Sequence, residues 1–197
     1  QVLGERVGVG VPHPEMLSRF RAAGAAVDEK AQRVRIPREL VKRSLASATK
    51  QWAIYGRDLA KKAEFGVGKR NYNTISGEAH WVDAPGGERR FARLKDVSVA
   101  ARFADALPEI TVVGAMADPA DVPVSIRCIK VLAELLRNTT KPVGFWYHDR
   151  QSARFLNEIT IALRGDMERA ASYPVCYPFL EPISPLRFPF DGVDLLA

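Results

Sequence analysis

From residue 71 onward, short apolar strand patterns alternate with helical patterns, and few architectures accommodate that order. Residues 71–77 (N-Y-N-T-I-S-G) are strand-like and end in a Ser-Gly turn. Residues 79–82 and 88–91 predict a hairpin around Ala84-Pro85-Gly86-Gly87. A helix follows over 94–107, with Val97, Ala100, Ala101 and Ala104 on one face. Then come a strand at 110–116, a helix at 122–137 opened by Pro123, a strand at 142–147, a helix at 149–163, a strand at 174–181 and a helix from Asp191. The strands are apolar on both faces, as expected of a parallel sheet covered on both sides. Four such units fit half of an eight-fold barrel or a small doubly wound sheet. No G-x-G-x-x-G follows the first strand, and Gly66-Val67-Gly68 lacks the third glycine and precedes it. The pattern breaks off at Leu195-Leu196-Ala197 and the chain opens without Met, so further residues are expected beyond it.

Residues 1–70 have a different rhythm. Met16, Leu17, Phe20 and Ala23 predict a helix over 15–24 that stops at Gly24. A strand at 34–36, a helix over 39–48 after Pro37 and a strand at 52–55 follow, and 58–70 is polar with glycine turns. The expected organisation is therefore an N-terminal extension (1–70) and an α/β domain (71–197). Residues 1–70 carry 15 basic and 7 acidic side chains, against 14 and 16 in the remainder. The basic residues are dispersed at helical spacings without interleaved aromatics, which reads as a solvated face rather than a nucleic-acid surface. No apolar run approaches the roughly 20 residues that span a bilayer, and Gln1–Val11 lacks the apolar stretch of a secretion signal. Cys128 and Cys176 lie in apolar patterns and are expected to be buried thiols, consistent with a cytoplasmic protein.

Parallel α/β sheets bind ligands at the C-terminal ends of their strands. That rule selects Asn73, Thr74, Ser76 and Gly77 after the first strand, Met116, Asp118 and Asp121 after the second, Trp146, Tyr147, His148 and Asp149 after the third, and Phe179, Glu181 and Ser184 after the fourth. Glu181 sits in F-L-E-P-I-S-P-L-R (179–187), where two prolines restrict the loop. It is a candidate acid, base or cation ligand, or else a partner of Arg187. In F-W-Y-H-D (145–149) Phe145 and Tyr147 share one face of a strand and Trp146 takes the other. An aromatic ring here is either core packing or a cradle for a quaternary ammonium. His148 is a base, a donor or a helix-entry residue. His13 and His80 read as surface or turn positions. Metal-ligand spacings and a nucleophile elbow are both missing from the sequence, and none of the four strands ends in a lysine suited to Schiff-base chemistry.

Several strings in order carry a resemblance: V-G-V-x-V-x-H-P-E (7–15), A-G-A-x-V-D (23–28), V-R-I-P-R-E-L-V (34–41), Y-G-R-D (55–58), L-x-D-V-x-x-A-A-R-x-A-D-A-L-P (94–108), D-V-P (121–123), N-T-T-K-P (138–142) and P-I-S-P-L (182–186). Together they resemble the trimethylamine methyltransferase family. The resemblance implies a (β/α)8 TIM barrel behind a helical extension, with this chain covering the extension and about the first four βα units. It implies methyl transfer from trimethylamine or a quaternary amine such as glycine betaine to the cobalt of a corrinoid. That corrinoid cofactor is supplied by a partner protein and is bound by no motif in this chain. A homo-oligomer is expected, with no membrane or nucleic-acid partner. Within that frame Glu181 is the expected catalytic carboxylate, holding the cation with Tyr147 or Phe179. Asn73 and Ser76 line the floor, and His148 completes the substrate-binding set. A homologue that binds such a cation or a corrinoid protein without turnover is the alternative.

Overall fold

The structure, a computed structural model, describes residues 3–147, 149–179 and 181–197. In chain order its elements are a π-helical turn over Leu3–Val7, β1 (Val9–Gly10), α1 (Pro14–Ala22), β2 (Ala26–Asp28), β3 (Arg33–Arg35), α2 (Arg38–Ser47), β4 (Trp52–Tyr55) and β5 (Lys62–Phe65). They continue with β6 (His80–Val82), β7 (Arg89–Phe91), α3 (Leu94–Ala106), β8 (Val113–Gly114), α4 (Val124–Asn138), β9 (Val143–Trp146), α5 (Arg150–Arg164), α6 (Met167–Ser172), β10 (Cys176–Phe179) and α7 (Phe190–Asp194). No helix among the described residues is long and apolar enough to cross a membrane. The contacts group the chain into two units. One comprises Gln1–Thr49, His148–Arg150 and Leu180–Ala197, and the other Lys50–Tyr147 and Gln151–Phe179.

In the first unit β3 lies between β1 and β2 in an antiparallel sheet, with Val34 opposite both Val9 and Val27. Val11, Leu17, Ala25, Val34 and Val193 form its core. His13, expected at a surface or turn position, is not on the surface. It is only 5% exposed and caps α1, its Nδ1 accepting from the Met16 N–H at 3.3 Å. With Nδ1 an acceptor, the proton sits on Nε2 and points to Asp194 Oδ1 at 3.1 Å. His80 is exposed as expected.

In the second unit β8, β9 and β10 form a parallel sheet in consecutive order, with Val113 and Cys176 both opposite Val143. The unit is thus mixed α/β with βα alternation, and its described strands do not close into a barrel. The expected first strand is mostly irregular. Only Asn73 bridges Val112, and further along Ala115 N–H donates to Ser76 O at 3.2 Å and Asp118 N–H to Glu78 O at 2.8 Å. Thr74 Oγ1 takes the Gly114 N–H at 2.7 Å, so a side chain occupies a ladder position.

Helices cover one face of this sheet. Val97, Ala101 and Ala104 of α3, Cys128, Leu132 and Leu135 of α4, and Leu156 of α5 pack with Val113, Val143, Phe145 and Val175 in one core. The opposite face is covered too, as the apolar strands predict, but by the β4–β5 hairpin and not by helices. Ile54 and Ala63 meet Val112 there, with Phe65 and Tyr177 alongside. Trp52 stacks on Phe65 at 4.0 Å, and both rings stand edge-on to Tyr177 at 6.3 Å. Close approach on this face requires glycine: a Cβ on Gly114 would lie 2.1 Å from Ile75 O, and one on Gly144 3.1 Å from the Tyr177 ring.

The N-T-T-K-P string at 138–142 secures the start of β9. Lys141 is 7% exposed, and its Nζ donates to Ala104 O at 2.9 Å and Leu107 O at 2.6 Å, satisfying the last carbonyls of α3. Asp105 accepts from Thr139 Oγ1 at 2.7 Å, Thr140 N at 2.8 Å and Thr140 Oγ1 at 3.1 Å. At the other end of α3, Asp96 accepts from the Arg93 N–H at 2.8 Å and pairs bidentately with Arg90 at 2.8 and 2.9 Å.

Candidate functional site

The C-terminal ends of the parallel strands gather Ser76, Gly77, Met116 and Trp146. Ser76 is 5% exposed, its carbonyl bonded to Ala115. Met116 adopts φ +55, a left-handed conformation uncommon for a side chain of its size, as the chain turns away after β8. Its N–H donates to Ile75 O at 3.0 Å. Trp146 approaches from β9: a Cβ placed on Gly77 would lie 3.2 Å from Trp146 Cδ1.

The other sequence candidates divide. Asn73 is exposed and stands beside Val112, three residues or about 10 Å before Ser76 along the strand direction. Tyr147 lies on the helix side. Its ring is 5.0 Å from Phe145, and its hydroxyl is 3.0 Å from Cys176 Sγ. Burial and the neighbouring Cys176 thiol push the Tyr147 phenol far above its ordinary value, and burial raises the Cys176 thiol against the opposing Tyr147 hydrogen bond. Tyr147 also lines an apolar cavity of about 420 Å³ with Ile161 of α5, Ala170 of α6 and Pro178 of β10. Phe179 is opposite Trp146 in the β9–β10 register. His148 lies outside the described residues. Cys128 is buried and Cys176 partly so, both free thiols.

The carboxylates after β8 serve the scaffold. Asp118 pairs with Arg127 at 2.9 Å, and Asp121 accepts from the Leu94 N–H at 2.9 Å. Glu181 belongs to the first unit and is exposed. Its loop is closed by reciprocal hydrogen bonds between Ile183 and Arg187 at 2.6 and 2.9 Å and tied to β1 by Gly10 N–H to Leu186 O at 2.8 Å. Among the described residues no ion pair joins Glu181 to Arg187; the Arg187 side chain lies instead against Gly10. Also among the described residues, no group of three His, Cys, Asp or Glu side chains is placed to hold a metal ion.

Sequence reasoning named Trp146 at the strand end but gave it no site role, weighing the aromatic run for its Tyr147 member. The pleat alternation it used already separated the two faces, and Phe145, apolar and central in the strand, marks which one is core.

The family model for trimethylamine methyltransferase matches residues 1–195. The chain is 24% identical over 183 residues to trimethylamine methyltransferase MttB of Desulfitobacterium hafniense, covering 93% of this chain and 37% of that protein. It is 26% identical over 186 residues to a glycine betaine methyltransferase of Desulfitobacterium hafniense strain Y51, covering 93% and 38%. It is 28% identical over 206 residues to trimethylamine methyltransferase MttB1 of Methanosarcina acetivorans, covering 96% and 39%. The chain thus spans less than two fifths of the length of these relatives. With its motifs matched from Val7 to Leu186 and the family model matched over nearly every residue, the chain belongs to the trimethylamine methyltransferase family.

Proposed function

We propose that the protein to which this chain belongs moves a methyl group from a methylated amine to the cobalt of a corrinoid carried by a separate protein. The observation that carries the proposal is the family match over residues 1–195, joined by relatives named for trimethylamine and for glycine betaine. The parallel β8–β9–β10 sheet, with residues 72–78 alongside β8, is then the first part of an eight-stranded barrel whose remaining strands lie in the rest of the protein.

A trimethylated ammonium spreads its charge over methyl groups, and a quaternary one offers no N–H donor. It is held by aromatic faces and a carboxylate rather than by a hydrogen-bond array. A reduced corrinoid would supply the nucleophile and take the methyl group on cobalt: the methyl–nitrogen bond breaks and its electron pair stays on nitrogen, so a quaternary substrate leaves as a neutral tertiary amine, whereas trimethylamine must carry a proton to leave as neutral dimethylamine. This chain's part is to position the substrate and keep its charge in place. Glu181 is the proposed carboxylate and Phe179 a proposed aromatic contact. Ser76 forms the floor at the strand ends, Asn73 lies deeper along the strand, and His148 offers a further donor. Tyr147 supports the end of β9 from the helix side through its contacts with Phe145 and Cys176.

The test uses the full-length protein with reduced cobalamin, and then with a corrinoid protein. Trimethylamine, glycine betaine, carnitine and proline betaine are offered in turn, and methylation of cobalt is followed by absorbance. Methylation from at least one of these is expected, and Glu181→Gln should weaken it at least tenfold. Absence of transfer from every amine, with the corrinoid protein present, refutes the proposal.

A further inference from the structure

We propose that Trp146 is the residue that distinguishes a methylated ammonium from an uncharged group of the same shape. The inference rests on the methylated-amine reading above. It comes from which face of the sheet each aromatic side chain occupies. In β9 the register alternates strictly: Val143 and Phe145 enter the core beneath the helices, as does Tyr147 just beyond the strand. Gly144 and Trp146 therefore face the opposite side. On that side the lower part of the sheet is filled. Val112 meets Ile54 and Ala63 of the hairpin, and the Tyr177 ring lies over Gly144. One pleat further along, at the C-terminal ends, Trp146 is the next side chain on this face, and it is partly exposed.

Gly77 lies against the indole, with Cβ space limited to 3.2 Å from Cδ1 and 3.5 Å from Nε1 and from Ala117 O. Gly77 has no positive φ, so its lack of a side chain answers to the ring beside it and not to its own backbone. Ser76 is buried next to it, and Met116 carries the one left-handed non-glycine backbone of this unit among its described residues. A large aromatic face is thus held at a strand end by a residue that cannot fill the space. Trp is the best cation–π acceptor among the side chains. A ring in this position attracts the positive charge of a trimethylated ammonium and gives a neutral tert-butyl group only dispersion.

The experiment measures binding calorimetrically in the full-length protein, without corrinoid, so that turnover does not enter. Glycine betaine, trimethylammonium and tetramethylammonium are compared with 3,3-dimethylbutanoate, the carbon isostere of glycine betaine. Wild type binds at least one of the ammonium ions, and an ammonium is preferred to the isostere. Trp146→Ala weakens the ammonium about 20-fold and leaves the isostere within about threefold, abolishing the preference. Trp146→Phe keeps the fold and part of the preference. Gly77→Ala moves the ring and weakens the ammonium severalfold while leaving the folded spectrum unchanged. If Trp146→Phe and Gly77→Ala are folded and discriminate as wild type does, the role of Trp146 is overturned. If wild type binds no methylated ammonium at all, the underlying methylated-amine reading fails first, and the inference fails with it.

Discussion

Replacing Lys141 by Met should destabilise the protein by about 2 kcal/mol. Lys141 is 7% exposed and donates to Ala104 O at 2.9 Å and Leu107 O at 2.6 Å, the carbonyls that close α3. Hydrogen bonds from a charged group contribute about 1.5–3 kcal/mol each, and a cation at a helix C-terminus adds a further 0.3–2 kcal/mol, roughly. Against these stands the burial of an ammonium, which costs several kcal/mol and is recovered on substitution. Met keeps the apolar stem, so little packing is lost. Lys141 itself lines a cleft of about 440 Å³ with Asp105, Pro108 and Thr111, from which water can replace the lost donor and limit the penalty. The remainder is about 2 kcal/mol, or a fall of roughly 4–8 °C in Tm for a unit of this size. Denaturant and thermal unfolding of wild type and Lys141→Met measure it. The pH dependence is a second check. Burial lowers the Lys141 pKa below the ordinary 10.5. Between the lowered value and 10.5 the unfolded chain holds more protons than the folded one, so stability from this group rises with pH across that window. The gap between wild type and Lys141→Met should therefore widen as pH climbs towards 10. A variant within 0.5 kcal/mol of wild type (about the scatter of surface substitutions), or a gap that narrows with pH, refutes the role.

Three further outcomes follow from the same contacts. Burial pushes Asp105 up, but the Thr139 and Thr140 donors outweigh it and hold the carboxyl below its ordinary value; Asp96 is held low by Arg90 against its own burial. Stability from both is present above about pH 4 and lost as pH falls through the lowered values, so acid unfolding should be shallower in Asp105→Asn. Gly114→Ala forces a Cβ to within 2.1 Å of Ile75 O and should cost about 2–3 kcal/mol or more, read by unfolding; a neutral result would mean that residues 74–75 do not cross β8 so closely. Tyr147→Phe removes the Cys176 contact and should cost about 1 kcal/mol while leaving substrate affinity within about twofold; a large affinity loss would return Tyr147 to the substrate side.

The elements that announce themselves in sequence are those with an apolar period. The helices expected at 94–107, 122–137 and 149–163 appear at Leu94–Ala106, Val124–Asn138 and Arg150–Arg164. The hairpin around Ala84–Gly87 and the strand before His148 also appear within a residue or two. Three elements carry no such period. In β5 the sequence Lys-Ala-Glu-Phe buries only Ala63 fully, because its partner β4 and Val112 meet it on one side. In α6, Met167–Ser172 starts from an Asp166 cap that accepts the Arg169 N–H at 2.7 Å, and no residue of it is buried. In β2 the exposed Ala26 and Asp28 flank a half-buried Val27. The expected strand over 71–77 failed for a chemical reason: Thr74 Oγ1 competes for Gly114, and the ladder breaks. At the site, the rule of strand ends found Ser76 and the 145–149 aromatic run. The choice between Trp146 and Tyr147 needed to know which face the helices cover, and that depends on contacts from α4 and α5 far along the chain.

Methyl transfer itself is best followed with the full-length protein, a corrinoid protein and methyl-¹³C-labelled trimethylamine and glycine betaine. The account predicts that label leaves one of the amines and appears on cobalt in equal amount, one methyl per demethylated product. Label that stays on both amines while they remain bound to the folded protein, or that leaves without reaching cobalt, contradicts it.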